Sequence, residues 1–313
     1  METDSLEHVR YLAAFAIAGA ILTVAGSYPV LGAQTGAPGT RLPEIVVEAP
    51  IELAAVAERV RQVDPVKVES LMILVGLTEP GAPIRVVLTP ETSEAAQTTP
   101  SWVAGLAYGA LGTIVLFPER SPSYPHDSLD EVLLHEIAHV FVARAAGFQK
   151  VPRWFNEGLA MMGSGKWGLD DRSWLTVAAT LDSDTPIGDL DSKFSSSRLE
   201  VARAYALSGA FVRDLFQRSR PGLASDILAR RASGLSFEEA FRRSLGAPIE
   251  GAESAFWRRH SILYRWLPLL TSSFALWLAI VGLTLLASWK KRRRRLLLEE
   301  LWEEIGEGEN PPN

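Results

Sequence analysis

The chain has 313 residues, 47% of them hydrophobic, a formal net charge of -6 and no cysteine. That length and apolar content suffice for a domain with a real core, and the acidic balance excludes a generally basic nucleic-acid-binding surface. Without cysteine there can be no disulfide, thiolate metal site or cysteine nucleophile, so any metal site must use His, Asp and Glu.

The first element is an apolar stretch, Tyr11 to Ala33, whose only polar residues besides Tyr11 and Tyr28 are Thr23 and Ser27. Its length, with Pro29, Gly32 and Ala33 at its end, reads as a signal peptide or an N-terminal anchor over residues 1–33. Gln34 to Pro43 is a Gly/Pro-rich linker. Ile51 to Val63 reads as a helix with its charges on one face, and Val66 to Leu77 as helix or strand. Residues 34–83 thus form an N-terminal linker and helical segment.

From residue 84 the pattern changes. Ile84 to Glu91 is a strand closed by Pro90. A hairpin follows, with a strand near Trp102 to Ala107, a turn at Gly109 to Gly112 and a strand from Thr113 to Phe117. Ser128 and Glu131 have capping-box spacing, and Gly147 suits the position after a helix end, which predicts a helix over about 129–146. Pro152 can open a second, shorter helix ended by Gly163. Beyond it, Trp174 to Leu181, Arg198 to Arg218, Leu223 to Arg231, Phe237 to Leu245 and Ile249 to Tyr264 all fit helical periodicity. The expected class is therefore α+β, a small N-terminal sheet and a helical C-terminal half within residues 84–265.

Trp266 to Trp289 is uncharged and long enough to cross a bilayer, and Lys290 to Arg295 follow at once, a stop-transfer pattern. The expectation is a transmembrane helix over 266–289, a cytoplasmic tail over 290–313, and a central domain held outside the cytoplasm at the lipid bilayer. The tail places Leu298, Leu301, Trp302 and Ile305 on one helical face, which suits a cytoplasmic partner.

The chemistry concentrates on the 129–146 helix. Val132, Leu133, Leu134, Ile137, Ala138, Val140, Phe141 and Val142 make it apolar nearly all round, so it must be buried. His135, Glu136 and His139 are then costly unless something satisfies them. Residues four apart share a helical face, so His135 and His139 can converge on one metal ion, while Glu136 stands beside it within reach of water. A catalytic zinc takes three protein ligands, and Glu157 on the second helix is the candidate third.

"HEIAH" followed by "WFNEGLA" resembles the gluzincin zinc metallopeptidases, particularly the peptidase MA-like group and more distantly the zinc aminopeptidases. The resemblance covers about 85 to 260 and is firm over 128 to 163. It implies a zincin-like domain, Zn2+ held by His135, His139 and Glu157, Glu136 as general base and a peptide or protein substrate. It also implies that the strand Thr113 to Phe117 forms a sheet edge that pairs with extended substrate, and that Tyr205 steadies the oxyanion. The Gly-Ala-Met-Glu-Asn motif of the aminopeptidases is missing from "WVAGLAYGALGTIVL", so an endopeptidase is expected. An alternative is a membrane-anchored binding module that keeps the fold without the activity. Asp130, Asn156 and Asp170 are candidate partners for the histidines, and His126 carries no expected role.

Overall fold

In a computed structural model of the chain, the described residues are 41–122, 125–165, 175, 186–270, 277–278 and 280–294. Two compact units divide the chain, residues 1–257 and 258–313.

The first unit is mostly helical with one four-stranded sheet. β1 (Ile45–Glu48), β2 (Ile84–Leu88), β3 (Gly105–Tyr108) and β4 (Thr113–Leu116) lie in the order β1-β2-β4-β3. β1 and β2 run parallel, as do β2 and β4, while β3 pairs antiparallel with β4, Leu106 facing Val115. The expected hairpin is therefore present, but β4 is an inner strand. The edges are β1 and β3, which corrects the expectation for Thr113 to Phe117. The residue pattern agrees: Ile114, Val115 and Leu116 are buried, whereas every residue of β3 is half-buried.

Between β1 and β2 run a 3-10 turn, α1 (Ala54–Arg61) and α2 (Pro65–Val75). The segment left open as helix or strand is helical for local reasons. The Asp64 side chain accepts from Val66 N, Pro65 takes the first turn, and Gly76 closes the helix at φ 80°. β1 and the short helix α3 (Glu94–Thr98), capped by Ser93, had no expectation.

The site helix is α4 (Leu129–Ala145). Ser128 accepts from Glu131 N, and Glu131 in turn accepts from Asp127 N at 2.8 Å, so its N-terminus is capped reciprocally. Gly147 (φ 59°) and Phe148 (φ 60°) then turn the chain back. It re-enters at α5 (Arg153–Ser164), which runs one residue past Gly163. Pro152 cannot cap α5 with its side chain. Asp191 does so from a distance, accepting from Arg153 N and Trp154 N at 3.1 Å each. Asp191 belongs to a short helix, α6 (Leu190–Lys193).

Four further helices follow: α7 (Arg198–Arg218), α8 (Leu223–Ala232), α9 (Phe237–Leu245) and α10 (Ile249–Leu270). The first three match their expected spans to within a residue. Of Trp174 to Leu181, all but Leu175 lies outside the described residues. Trp154, Phe155, Phe211, Phe237, Phe241 and Phe256 form a buried aromatic cluster with rings 5.1–6.4 Å apart, edge to face or tilted. It pins α5 to α7 and α9.

Among the described residues, no helix is long and apolar enough to cross a membrane. Residues 271–276 and 279 of the expected span lie outside that description, as do residues 1–33 and the tail positions Leu298 to Ile305. The second unit is described through the end of α10 and over 280–294, where Leu283, Leu285, Leu286 and Trp289 are exposed and Arg293 lies over the Trp289 ring at 5.0 Å.

The contact between α5 and α7 is close at one point. A Cβ on Gly158 would meet Val212 Cγ2 at 2.4 Å and the Ser208 carbonyl oxygen at 2.7 Å. Val212 can shift, but the carbonyl is backbone. Gly158→Ala is expected to destabilise the fold by about 1–3 kcal/mol. Urea unfolding of the variant, and of the double variant with Val212→Ala, checks this; the second substitution should not restore the midpoint.

Candidate active site

α4 and α5 cross so that Glu157 faces the histidine pair. Glu157 Oε2 lies 3.2 Å from His135 Nε2 and 3.3 Å from His139 Nε2. One ligand atom from each of the three residues falls within 4.8 Å of the others, a group that could hold a metal ion. All three predicted ligands are thus brought together. The i, i+4 spacing makes the imidazoles neighbours, with ring centroids 4.7 Å apart.

Burial makes the group costly unless its charges match. Burial alone would raise the pKa of Glu157, yet His139 and His135 hold it well below the usual carboxylate range, so it is ionised. For His139 burial opposes the cation, but the Glu157 charge, and behind it Glu136 and Asn156, lift its pKa to about 9. Burial pushes His135 down, with the Glu157 hydrogen bond opposing and the His139 charge adding to the fall. Glu157 and the His139 imidazolium thus form a buried ion pair, Nε2 to Oε2 at 3.3 Å.

The donor set also has an orienting partner. His139 Nδ1 donates to Asn156 Oδ1 at 3.0 Å, which leaves Nε2 for the shared centre. Asn156 is therefore the partner among the three candidates. Asp130 instead pairs with Arg59 at 3.0 Å, and Asp170 lies outside the described residues. His135 Nδ1 is buried without a hydrogen-bond partner.

Glu136 does not share the Glu157 centre. It lines a cavity of about 430 Å³ together with His135, His126, Arg153 and Tyr205. Burial lifts its pKa to about 7, with the His139 charge opposing. Its place depends on β3: a Cβ on Gly105 would come within 2.8 Å of both Glu136 Cγ and Oε1. Tyr205 on α7 reaches the same cavity, its ring 6.2 Å from that of His135. Its phenol is raised above the ordinary value by burial first and then by the Glu157 charge.

Two residues here had no expectation. His126 stands edge-on to His135, ring centroids 4.5 Å apart, and burial holds it neutral. Arg153 donates from Nε to Glu157 Oε1 at 3.3 Å. The i, i+4 spacing of Arg153 and Glu157 was readable in "RWFNE"; nothing local marks His126.

A family model described as the Peptidase MA superfamily matches residues 78–262. The chain belongs to the peptidase MA superfamily. No curated protein and no solved structure matches it. Membership supports a peptidase, a hydrolase of peptide bonds, and in this superfamily the three clustered side chains fit a divalent metal: two imidazoles and one carboxylate, buried, convergent and already charge-matched by a proton.

Metal uptake must displace that proton from His139. Below about pH 9 each ion taken up should release about one proton, and apparent affinity should rise about tenfold per pH unit between pH 6 and 8. Calorimetry of zinc binding in buffers of different ionisation enthalpy checks the release. Asn156→Ala should weaken zinc binding by roughly 10- to 100-fold while the fold persists.

Proposed function

We propose that the protein is a membrane-tethered, zinc-dependent endopeptidase of the gluzincin type, acting outside the cytoplasm. The observation that carries the reading is the joint presence of the His135–His139–Glu157 cluster and a separate buried carboxyl, Glu136, that faces a cavity. A structural metal site has no need of that fourth group.

His135, His139 and Glu157 would hold the ion. A zinc ion there supplies Lewis acidity, lowering the pKa of water and polarising a carbonyl. Glu136 accepts a proton from the attacking water and returns it to the departing amine. Tyr205 donates a hydrogen bond to the carbonyl oxygen as negative charge develops on it. β3, the half-buried sheet edge beside Glu136, offers backbone groups to an extended peptide.

The cavity lining favours internal bonds over the N-terminal bond. Among its described residues Glu136 is the only carboxylate, and Arg153 and Arg198 are cationic. Apart from Glu136, which is assigned to the attacking water, none of the described lining residues would pair with a substrate ammonium. Trp102, Val103, Phe194, Leu199 and Ala202 make the rest of the wall apolar, which suits a large apolar side chain beside the scissile bond. Tethering rests on the uncharged run from Trp266 to Trp289 and the six basic residues after it.

Full-length protein in detergent should cleave N-acetylated peptides at internal bonds, lose activity to a chelator and regain it with zinc. Glu136→Gln should keep its zinc and lose about 10²- to 10⁴-fold in kcat. Tyr205→Phe should lose about 10²-fold in kcat with little change in KM. A Glu136→Gln variant with full activity would remove the assigned base; a wild-type protein that binds zinc and cleaves no peptide would favour the binding module.

A further inference from the structure

The two oxygens of Glu157 have different partners. Oε2 faces His135 Nε2 and His139 Nε2, and Oε1 accepts from Arg153 Nε at 3.3 Å. Arg153 opens α5 one turn before Glu157 and on the same face. Its guanidinium is held from other sides too. It lies over the Phe194 ring at 4.7 Å, with Nη1 3.5 Å from the Phe194 carbonyl oxygen. Its backbone N is fixed by Asp191. It lines the cavity beside Tyr205.

An exposed i, i+4 pair contributes little. This pair differs because the Arg153 side chain is 44% exposed while that of Glu157 is 7% exposed and belongs to the charged centre. A guanidinium only donates. On Oε1 it withdraws electron density and occupies the lone pair that a second metal contact would need.

We propose that Arg153 is a positioning residue that keeps Glu157 to one metal-facing oxygen. This rests on the metallopeptidase reading above. It assigns Arg153 no contact with the reacting atoms; its effect passes through Glu157.

The test uses full-length wild-type, Arg153→Ala, Arg153→Lys and Tyr205→Phe protein in detergent. The zinc dissociation constant is read by competition with a chromophoric chelator. Metal geometry is read from the visible absorption of the cobalt-loaded forms, and kcat and KM from a peptide substrate. Arg153→Ala should raise the zinc dissociation constant roughly 10-fold or more. Its cobalt absorption should weaken as the carboxylate closes on the ion with both oxygens and coordination expands beyond four. Its kcat should fall more than its KM rises. Arg153→Lys, which keeps the charge but not the planar fork, should recover zinc affinity only in part. Tyr205→Phe should lower kcat and leave zinc affinity and the cobalt spectrum unchanged. Wild-type affinity and spectrum in Arg153→Ala, with both proteins loading one ion, overturns the assignment while leaving the metallopeptidase intact. Wild-type protein that takes up no ion overturns both. If Arg153→Ala does not fold, Arg153→Lys decides: wild-type zinc affinity and cobalt spectrum in that variant overturn the positioning role.

Discussion

A carboxylate buried between two imidazoles is the constraint on which the rest of this structure depends. Glu157 is ionised at 6% exposure and has His135 and His139 on one oxygen and Arg153 on the other. An isolated carboxylate at that depth would cost several kcal/mol or neutralise itself. It stays charged because the His139 imidazolium balances it. The site is thus built around a positive charge before any ion arrives.

Holding the carboxylate there requires two helices at a fixed separation, and each contact that fixes them has a local cause. α4 is capped at both ends of its entry turn by Ser128 and Glu131. α5 begins at a proline and borrows its cap from Asp191. Gly158, the residue after the carboxylate, lets α7 approach, and Trp154 and Phe155 lock the same helix into the aromatic cluster. The face of α5 that packs and the face that carries Glu157 are set by one short run of sequence. On the other side, Gly105 on the edge strand leaves room for Glu136. The cavity therefore lies beside Gly105 of β3, with Glu136 in its wall.

Much of this was legible in the sequence because it is local. Capping signals gave α4 and helical periodicity gave α7 and α9 nearly to the residue, and the i, i+4 histidines with Glu157 gave the cluster. The signals that settle α2 as a helix, Asp64, Pro65 and Gly76, were also present. What was not legible depends on tertiary neighbours. Strand order is one such case: β3 and β4 form the hairpin expected, but which of them pairs with β2 is decided by burial of Ile114 to Leu116, not by the turn. β1 is four residues with no distinctive flanks. His139 takes Asn156 rather than Asp130 because Asn156 lies beside Glu157 on the crossing helix, while Asp130 points out to Arg59. His126 next to His135 is a fact of loop placement that no spacing rule reaches.

X-ray absorption at the zinc edge of the purified, zinc-loaded full-length protein addresses the central claim most directly. The account predicts one ion per chain with two imidazole nitrogens at about 2.0–2.1 Å and at least one oxygen at about 2.0–2.2 Å. Glu157→Gln should disturb that shell, whereas Glu136→Gln should leave it intact. A shell of oxygens without paired imidazoles, or one indifferent to residue 157, would contradict it.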